Sequence, residues 1–125
     1  MTERLRIMIV DDEPLARLRL KTLLAQARVP NSVVAEAGDA AQAMTLLSQP
    51  QGVDVDVLLL DIQMPGADGM RLAERIRQMP RVPAIVFVTA HVEHALRAFE
   101  VEAKDYLTKP VRLERLEAAL ARCTV

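Results

Sequence analysis

Four apolar runs in the sequence end at side chains suited to ion binding or group transfer. The first run is followed by the acids Asp11 and Asp12, and a central run is followed by Asp61. Two later runs end at the hydroxyl of Thr89 and at the amine of Lys109. Carboxylate oxygens suit a hard cation such as Mg²⁺, and an Asp carboxylate is also an accepted nucleophile in phosphoryl transfer. These residue types predict metal-dependent phosphoryl chemistry if the fold brings the positions together.

Each of these residues also has a purely structural interpretation. Asp11 and Asp12 could cap a helix that begins at Pro14, since Asp is favoured before such helices. Asp61 could cap the turn that follows it, and Thr89 could be an ordinary hydroxyl at the end of a strand. Taken one at a time, the residues leave both interpretations open, and only their convergence would favour a site.

The central run, Val57–Leu60, consists of four consecutive apolar residues and predicts a strand buried on both faces, as in a parallel sheet. Regular structure should end in the loop marked by Pro65, Gly66 and Gly69. Asp61 is therefore left at the carboxyl end of this strand, where open α/β sheets bind their ligands.

Predicted strands and helices alternate along the whole chain. The strands are β1 at Leu5–Val10, β2 at Ser32–Ala37, β3 at Val57–Leu60, β4 at Ala84–Val88 and β5 at Asp105–Thr108. The helices are α1 from Pro14 until Pro30, α2 opened by Gly38 and Asp39 and running through Leu47, α3 at Met70–Met79, α4 at Val92–Glu100 and α5 at Leu113–Arg122. Such alternation predicts parallel strands with helices on both faces. All carboxyl ends then share one edge of the sheet, so the candidate residues should converge.

Length, net charge, apolar runs and cysteine count argue against several classes of protein. The 125 residues predict one domain over 1–125, and the net charge of −1 argues against nucleic-acid binding by this segment. No apolar run approaches the roughly 18 residues of a membrane span, and the amino end shows no export signal. The lone Cys123 permits neither an intramolecular disulfide nor a Cys-based metal cluster. We therefore expect a cytoplasmic protein without membrane partners.

Ordered motifs give the chain a specific family resemblance. These motifs are Ile9-Val10-Asp11-Asp12-Glu13-Pro14, Leu60-Asp61-Ile62-Gln63-Met64-Pro65-Gly66 with Asp68-Gly69, Thr89-Ala90, and Asp105-Tyr106-Leu107-Thr108-Lys109-Pro110. In this order and spacing they resemble the receiver domain of bacterial two-component response regulators. The resemblance implies a flavodoxin-like (βα)5 fold with strand order 2-1-3-4-5. Residues 89–111 look like receivers that precede LytTR-type DNA-binding domains.

The resemblance assigns a metal and an acceptor. It implies that Asp61 accepts the phosphoryl group and that Asp12 binds Mg²⁺ directly. Asp11 would act mainly through a bound water, and Gln63 would offer its backbone carbonyl to the metal.

The resemblance also implies a switch. Thr89 would hydrogen-bond one phosphoryl oxygen, and Lys109 would pair with another and precede Pro110 in a cis peptide bond. Tyr106 would turn inward as Thr89 moves, remodelling the face built from α4, β5 and α5.

By the same resemblance, the phosphoryl donor is a sensor histidine kinase. The altered face would promote homodimerisation or release a C-terminal output domain. That output domain is expected to lie outside this chain, which would reach DNA only through it. The chain itself is expected not to be an enzyme beyond its own phosphorylation and dephosphorylation.

Two other functions compete with the receiver interpretation. Asp-nucleophile phosphatases also combine a strand-end Asp, a Thr and a Lys with Mg²⁺, but they normally carry another acid where Gln63 stands. A protein-interaction module independent of phosphorylation is the third candidate. It has no need for a complete set of site residues, which here comprises Asp11, Asp12, Asp61, Thr89 and Lys109.

Overall fold

The computed structural model describes residues 4–48, 54–64, 67–90 and 102–124. Its five long strands are β1 Leu5–Val10, β2 Asn31–Ala37, β3 Val57–Leu60, β4 Ala84–Thr89 and β5 Asp105–Thr108. Its helices are α1 Pro14–Gln26, α2 Ala40–Ser48, α3 Gly69–Ile76 and α5 Leu113–Cys123. The helix predicted over 92–100, α4, lies outside the described residues. No helix in the described part of the chain is long and apolar enough to cross a membrane.

The five strands form one parallel sheet in the order β2-β1-β3-β4-β5, as predicted. β3 is the central strand and pairs with β1, so that Val10 lies beside Leu60 at the carboxyl ends of the two strands. All four residues of β3 are buried, which explains why its sequence is apolar throughout rather than alternating. The predicted flavodoxin-like fold class is confirmed.

Two hydrophobic clusters fill the space on the two faces of the sheet. Alternate residues of β1, such as Met8 and Ile9, belong to different clusters because successive strand side chains point to opposite faces. The cluster around Met8 includes buried residues of α2 and α3, and the cluster around Ile9 includes buried residues of α1 and α5. In the part of the chain that the structure describes, helices therefore pack on both faces of the sheet and leave the ends of the strands for a site.

The leucines of helix α1 differ widely in their exposure to solvent. Leu20 and Leu24 are 4% and 2% exposed, whereas Leu15 and Leu18 are 78% and 54% exposed. A helix turns about 100° per residue, so these two pairs cannot share one face. One side of α1 therefore packs against the core, and the side that carries Leu15 and Leu18 faces solvent.

The segment after β3 is more regular than the predicted loop. Gln63–Met64 pairs with Ala67–Asp68 as a short antiparallel ladder. Helix α3 then begins at Gly69, whose N–H donates to the carbonyl of Ile62 at 2.7 Å. A side chain at Gly69 would place its Cβ 2.3 Å from the backbone oxygen of Asp61, so glycine is required by this close approach. The loop carrying Asp61 therefore packs directly against the start of α3.

Helix α3 ends at Ile76, three residues before the predicted end at Met79. The N–H of Gln78 donates to Arg75 and that of Met79 to Ile76, which are bonds to the third preceding residue. The chain tightens into turns there rather than continuing the α-helix.

Candidate functional site

Hydrogen bonds between neighbouring strands continue past the strand ends and position the candidate residues. The N–H of Asp61 donates to the carbonyl of Val10 at 2.9 Å, so Asp61 lies beside the residue that precedes Asp11. The N–H of Lys109 donates to the carbonyl of Thr89 at 2.9 Å, which joins the ends of β5 and β4 in the same way. The parallel sheet thus brings its functional side chains to one edge, as the sequence predicts.

Asp11 and Asp61 use their two carboxylate oxygens in the same way. The Oδ1 atom of Asp11 accepts the N–H of Glu13 at 3.0 Å, and Oδ1 of Asp61 accepts the N–H of Gln63 at 3.2 Å. The Oδ2 atoms lie 2.9 Å and 3.4 Å from Nζ of Lys109. Each acid therefore accepts a main-chain bond from the loop that follows it and also takes part in a charged cluster. The alternative in which Asp11 or Asp12 caps α1 is wrong, because the N-cap is Glu13 and has no side-chain cap bond.

Burial makes it unfavourable for the side chains of this cluster to carry a charge. The exposed fractions are 1% for Asp11 and 6% for Asp61. Burial raises the pKa of the Asp61 carboxyl above its ordinary value; the nearby Lys109 ammonium opposes this rise and Asp11 adds to it. Burial alone would lower the pKa of Lys109, but its bonds to the two carboxylates outweigh burial and raise it. Lys109 therefore remains charged, yet one ammonium only partly balances the acids.

A third carboxylate joins the cluster, and the three acids together could hold a cation. One oxygen each from Asp11, Asp12 and Asp61 lie within 4.8 Å of one another. An all-oxygen donor set of this kind fits a hard cation. The side chain of Gln63 is exposed, and its main chain bonds Asp61 through the N–H group. The arrangement can hold a metal, while the role expected of the Gln63 carbonyl stays a prediction.

The two predicted switch residues lie on the adjacent strands β4 and β5. Thr89 is fully buried at the end of β4, and Tyr106 is half-buried on β5. Tyr106 pairs in register with Phe87, two residues before Thr89, and the two ring centroids are 6.4 Å apart. The Lys109–Pro110 peptide bond is cis, as predicted. The switch role of Thr89 and Tyr106 stays a prediction.

Arg17 is a neighbour of the site that sequence reasoning missed. Its guanidinium donates from one terminal nitrogen to the backbone oxygen of Asp11 at 2.6 Å. No sequence signal distinguishes this arginine from the many exposed ones on amphipathic helices, because the contact depends on how α1 packs beside the end of β1.

Comparisons with known proteins agree with this architecture. Residues 7–121 match the family described as the response regulator receiver domain. The chain is 43% identical over 120 residues to the positive alginate biosynthesis regulatory protein of Pseudomonas aeruginosa, a match that covers 96% of this chain and 47% of that protein. It is 41% identical over 118 residues to the sensory transduction protein LytT of Bacillus subtilis, with 94% and 47% covered. The predicted similarity to LytTR-type regulators is thereby confirmed.

A solved structure matches nearly end to end. The response regulatory domain of protein mrkE from Klebsiella pneumoniae superposes with a TM-score of 0.84 at 37% identity, covering 95% of this chain and 94% of that one. The curated relatives are longer, and the chain spans about half of their length.

Proposed function

The chain belongs to the response regulator receiver domain family, and on that premise we propose that Asp61 is its phosphoacceptor. The observation that supports this most directly is the burial of Asp61 beside Lys109 and Asp11 at the carboxyl edge of the sheet. A receiver needs a carboxylate whose charge is balanced by neighbours but which stays open to an incoming phosphoryl group. Asp61 is 6% exposed, and its Oδ2 atom accepts a long hydrogen bond of 3.4 Å from the Lys109 ammonium.

In the proposed reaction, the donor is a phosphohistidine of a sensor kinase. A carboxylate oxygen of Asp61 attacks phosphorus, the bond from phosphorus to the donor nitrogen breaks, and that nitrogen keeps the electron pair. The product on this chain is an acyl phosphate. Lys109 then pairs with one phosphoryl oxygen and the Thr89 hydroxyl donates to another, which places a charge-assisted bond on the group that has just gained charge.

We assign Mg²⁺ to the three clustered acids, with Asp12 as a direct ligand, Asp11 acting mainly through water, and the Gln63 carbonyl completing the protein ligands. The support is the donor chemistry, since Asp11, Asp12 and Asp61 present oxygens within 4.8 Å of one another. When bound, Mg²⁺ supplies positive charge that offsets both the carboxylates and the phosphoryl oxygens. Without such charge, the three acids would repel an incoming phosphoryl group.

The proposed output begins at Thr89 and Tyr106, which rearrange on phosphorylation and change the α4-β5-α5 face. That change would favour a homodimer or act on a C-terminal output domain. Because the chain spans about half of relatives named as a regulatory protein and as the sensory transduction protein LytT, we propose that the whole protein acts in transcription through LytTR-type DNA binding. Its place of action would be the cytoplasm.

The proposal is tested by incubating the chain with acetyl phosphate and MgCl₂ and measuring its intact mass. We expect one added phosphoryl group on the wild type and none on Asp61→Asn. The matched control is Asp56→Asn, which changes an acid beside Arg6 at the opposite end of β3 and should keep the adduct. An unchanged adduct in Asp61→Asn, or none in the wild type, would refute the assignment.

The same samples separate the competing functions. Turnover of a small phosphate ester by the wild type would favour a phosphatase over a receiver. Equal binding of a partner protein by wild type and Asp61→Ala, with or without acetyl phosphate, would favour a module independent of phosphorylation.

A further inference from the structure

We infer that Arg17 is a positioning residue that holds the two adjacent acids, Asp11 and Asp12, in the geometry needed for metal binding. The inference rests on the metal site of the proposed function. One guanidinium nitrogen donates to the backbone oxygen of Asp11 at 2.6 Å, and Nε donates to Oε1 of Glu36 at 3.2 Å. Arg17 thus links α1, the end of β1 and the edge strand β2.

The Asp11 carbonyl that Arg17 contacts belongs to the peptide that joins Asp11 to Asp12, so its orientation affects both acids. The rotation of this peptide sets the directions in which both side chains leave the backbone. The N–H of Asp11 is already fixed to the carbonyl of Ala37 at 3.1 Å. With its carbonyl fixed by Arg17, the Asp11 main chain is held on both sides before any metal arrives. Preorganised ligands bind a metal more tightly than ligands that must be ordered on binding.

Glu36 keeps Arg17 in place from the other side. The Arg17 side chain is 21% exposed, so its ion pair with Glu36 is partly shielded from water. Lys21, one turn further along α1, donates to the second Glu36 oxygen at 2.9 Å. The hydrogen bond from Lys21 lowers the pKa of Glu36, with Arg17 adding to the effect, so the carboxylate stays ionised at neutral pH. In this network, Arg17 contacts both the main chain of Asp11 and the side chain of Glu36, whereas Lys21 contacts Glu36.

Electrostatics and positioning predict opposite effects of removing Arg17. Loss of a cation near three acids leaves the site more negative and should strengthen Mg²⁺ binding. Loss of the bond to the Asp11 carbonyl should instead weaken Mg²⁺ binding, because the peptide between the two acids becomes free to rotate. The sign of the change therefore identifies the role of Arg17.

The test compares Arg17→Met with Lys21→Met in the full chain, with Mg²⁺ affinity measured by isothermal titration calorimetry. Both changes remove one cation from α1 and one partner from Glu36. We expect about tenfold weaker Mg²⁺ binding for Arg17→Met, the effect of losing one charge-assisted bond. Lys21→Met should bind Mg²⁺ as tightly as the wild type or slightly more tightly.

A second readout needs no metal. The amide of Asp12 belongs to the peptide whose oxygen Arg17 contacts, so its ¹⁵N resonance should shift in metal-free Arg17→Met but not in Lys21→Met. Unweakened Mg²⁺ binding by Arg17→Met, equal weakening in both variants, or an unmoved Asp12 resonance would overturn the inference. Failure of the wild type to bind Mg²⁺ would instead refute the proposed metal site, and the resonance would still report on Arg17.

Discussion

Lys109 forms its shorter bond with Asp11, because its Nζ lies 2.9 Å from Oδ2 of Asp11 and 3.4 Å from Oδ2 of Asp61. The family resemblance implies that Lys109 acts chiefly by pairing with a phosphoryl oxygen. The structure adds that it is also the counter-ion of the buried acids. Lys109 therefore contributes to folding as well as to the proposed chemistry, and the two contributions can be separated by adding a metal.

We expect Lys109→Met to lower the free energy of unfolding by roughly 1.5–3 kcal/mol at neutral pH in EDTA, as when a buried charge loses its partner. The raised pKa of Lys109 means that its stabilisation is fully present below the ordinary lysine pKa of 10.5 and is lost only as pH rises through the folded value. Urea unfolding measures the loss, and saturating MgCl₂ should recover part of it.

The control for this prediction is Lys104→Met, which removes an exposed lysine and should change stability by less than about 0.5 kcal/mol. The Lys109 variant should fold but lose phosphorylation-driven dimerisation, which size-exclusion chromatography would detect. Full dimerisation by Lys109→Met would contradict its role toward the phosphoryl group.

We expect Asp61→Asn to stabilise the metal-free fold at neutral pH by roughly 0.5–2 kcal/mol, the usual gain from relieving a functional site. The raised pKa of Asp61 means that the folded state holds this proton more tightly than the unfolded chain. That contribution favours folding below the ordinary pKa of 3.8 and is lost as pH rises through the folded value. Asparagine removes the charge while keeping an acceptor for the N–H of Gln63.

Urea unfolding of wild type and Asp61→Asn in EDTA, repeated across a pH series, tests the sign. The advantage of the variant should shrink toward acid pH, where the wild-type carboxyl is protonated. MgCl₂ should stabilise the wild type more than the variant. A variant that is less stable than the wild type at neutral pH would show that Asp61 is not electrostatically strained.

Much of the fold, and the meeting of the site residues at one edge of the sheet, could be predicted. Both follow from the order of short apolar runs and helical segments along the chain. Val57–Leu60 is apolar at every position, as expected of a strand covered on both faces, and the acid at position 61 then falls at its carboxyl end. Parallel pairing alone carries Asp11 and Lys109 to the same edge. No knowledge of side-chain contacts was needed for that step.

The parts that the sequence did not reveal depend on how the strands, helices and loops pack against one another. Arg6 donates to Asp56, 50 residues later, and Arg17 contacts the backbone of Asp11 only because α1 packs beside β1. The exposure of Leu15 and Leu18 likewise depends on which side of α1 packs against the sheet. Such features follow from packing geometry, which a one-dimensional pattern does not encode.

We expect Gly69→Ala to destabilise the chain by about 1–3 kcal/mol or more, because a Cβ there would lie 2.3 Å from the Asp61 oxygen and 2.7 Å from Cα of Ile62. Relief of this clash would also displace the loop that carries Asp61 and so slow labelling by acetyl phosphate. Gly38→Ala is the matched control, since its Cβ would have only ordinary contacts at 3.6 Å with Arg17 and Gln42. Thermal unfolding and mass-detected phosphorylation measure the two effects. Equal behaviour of the two alanine variants would contradict the clash.

We expect Arg115→Met to lower the free energy of unfolding by roughly 0.5–1.5 kcal/mol at neutral pH, less than a fully buried pair would give because the Arg115 side chain is 47% exposed. The Asp105 side chain is 7% exposed and accepts two bonds from Arg115, at 2.8 and 3.1 Å, and one from the N–H of Tyr106, while Arg122 lies 3.6 Å away. Burial alone would raise the pKa of Asp105, but the Arg115 bonds, aided by Tyr106, outweigh it and lower that pKa.

Stability from a lowered carboxyl pKa is present above the ordinary value of 3.8 and is lost as pH falls through the folded value. In urea unfolding, the deficit of Arg115→Met should therefore shrink at acid pH, and Arg71→Met, which removes an exposed arginine of α3, should show little deficit at any pH. A deficit that is equal at neutral and acid pH would show that Arg115 stabilises the fold by packing rather than through Asp105.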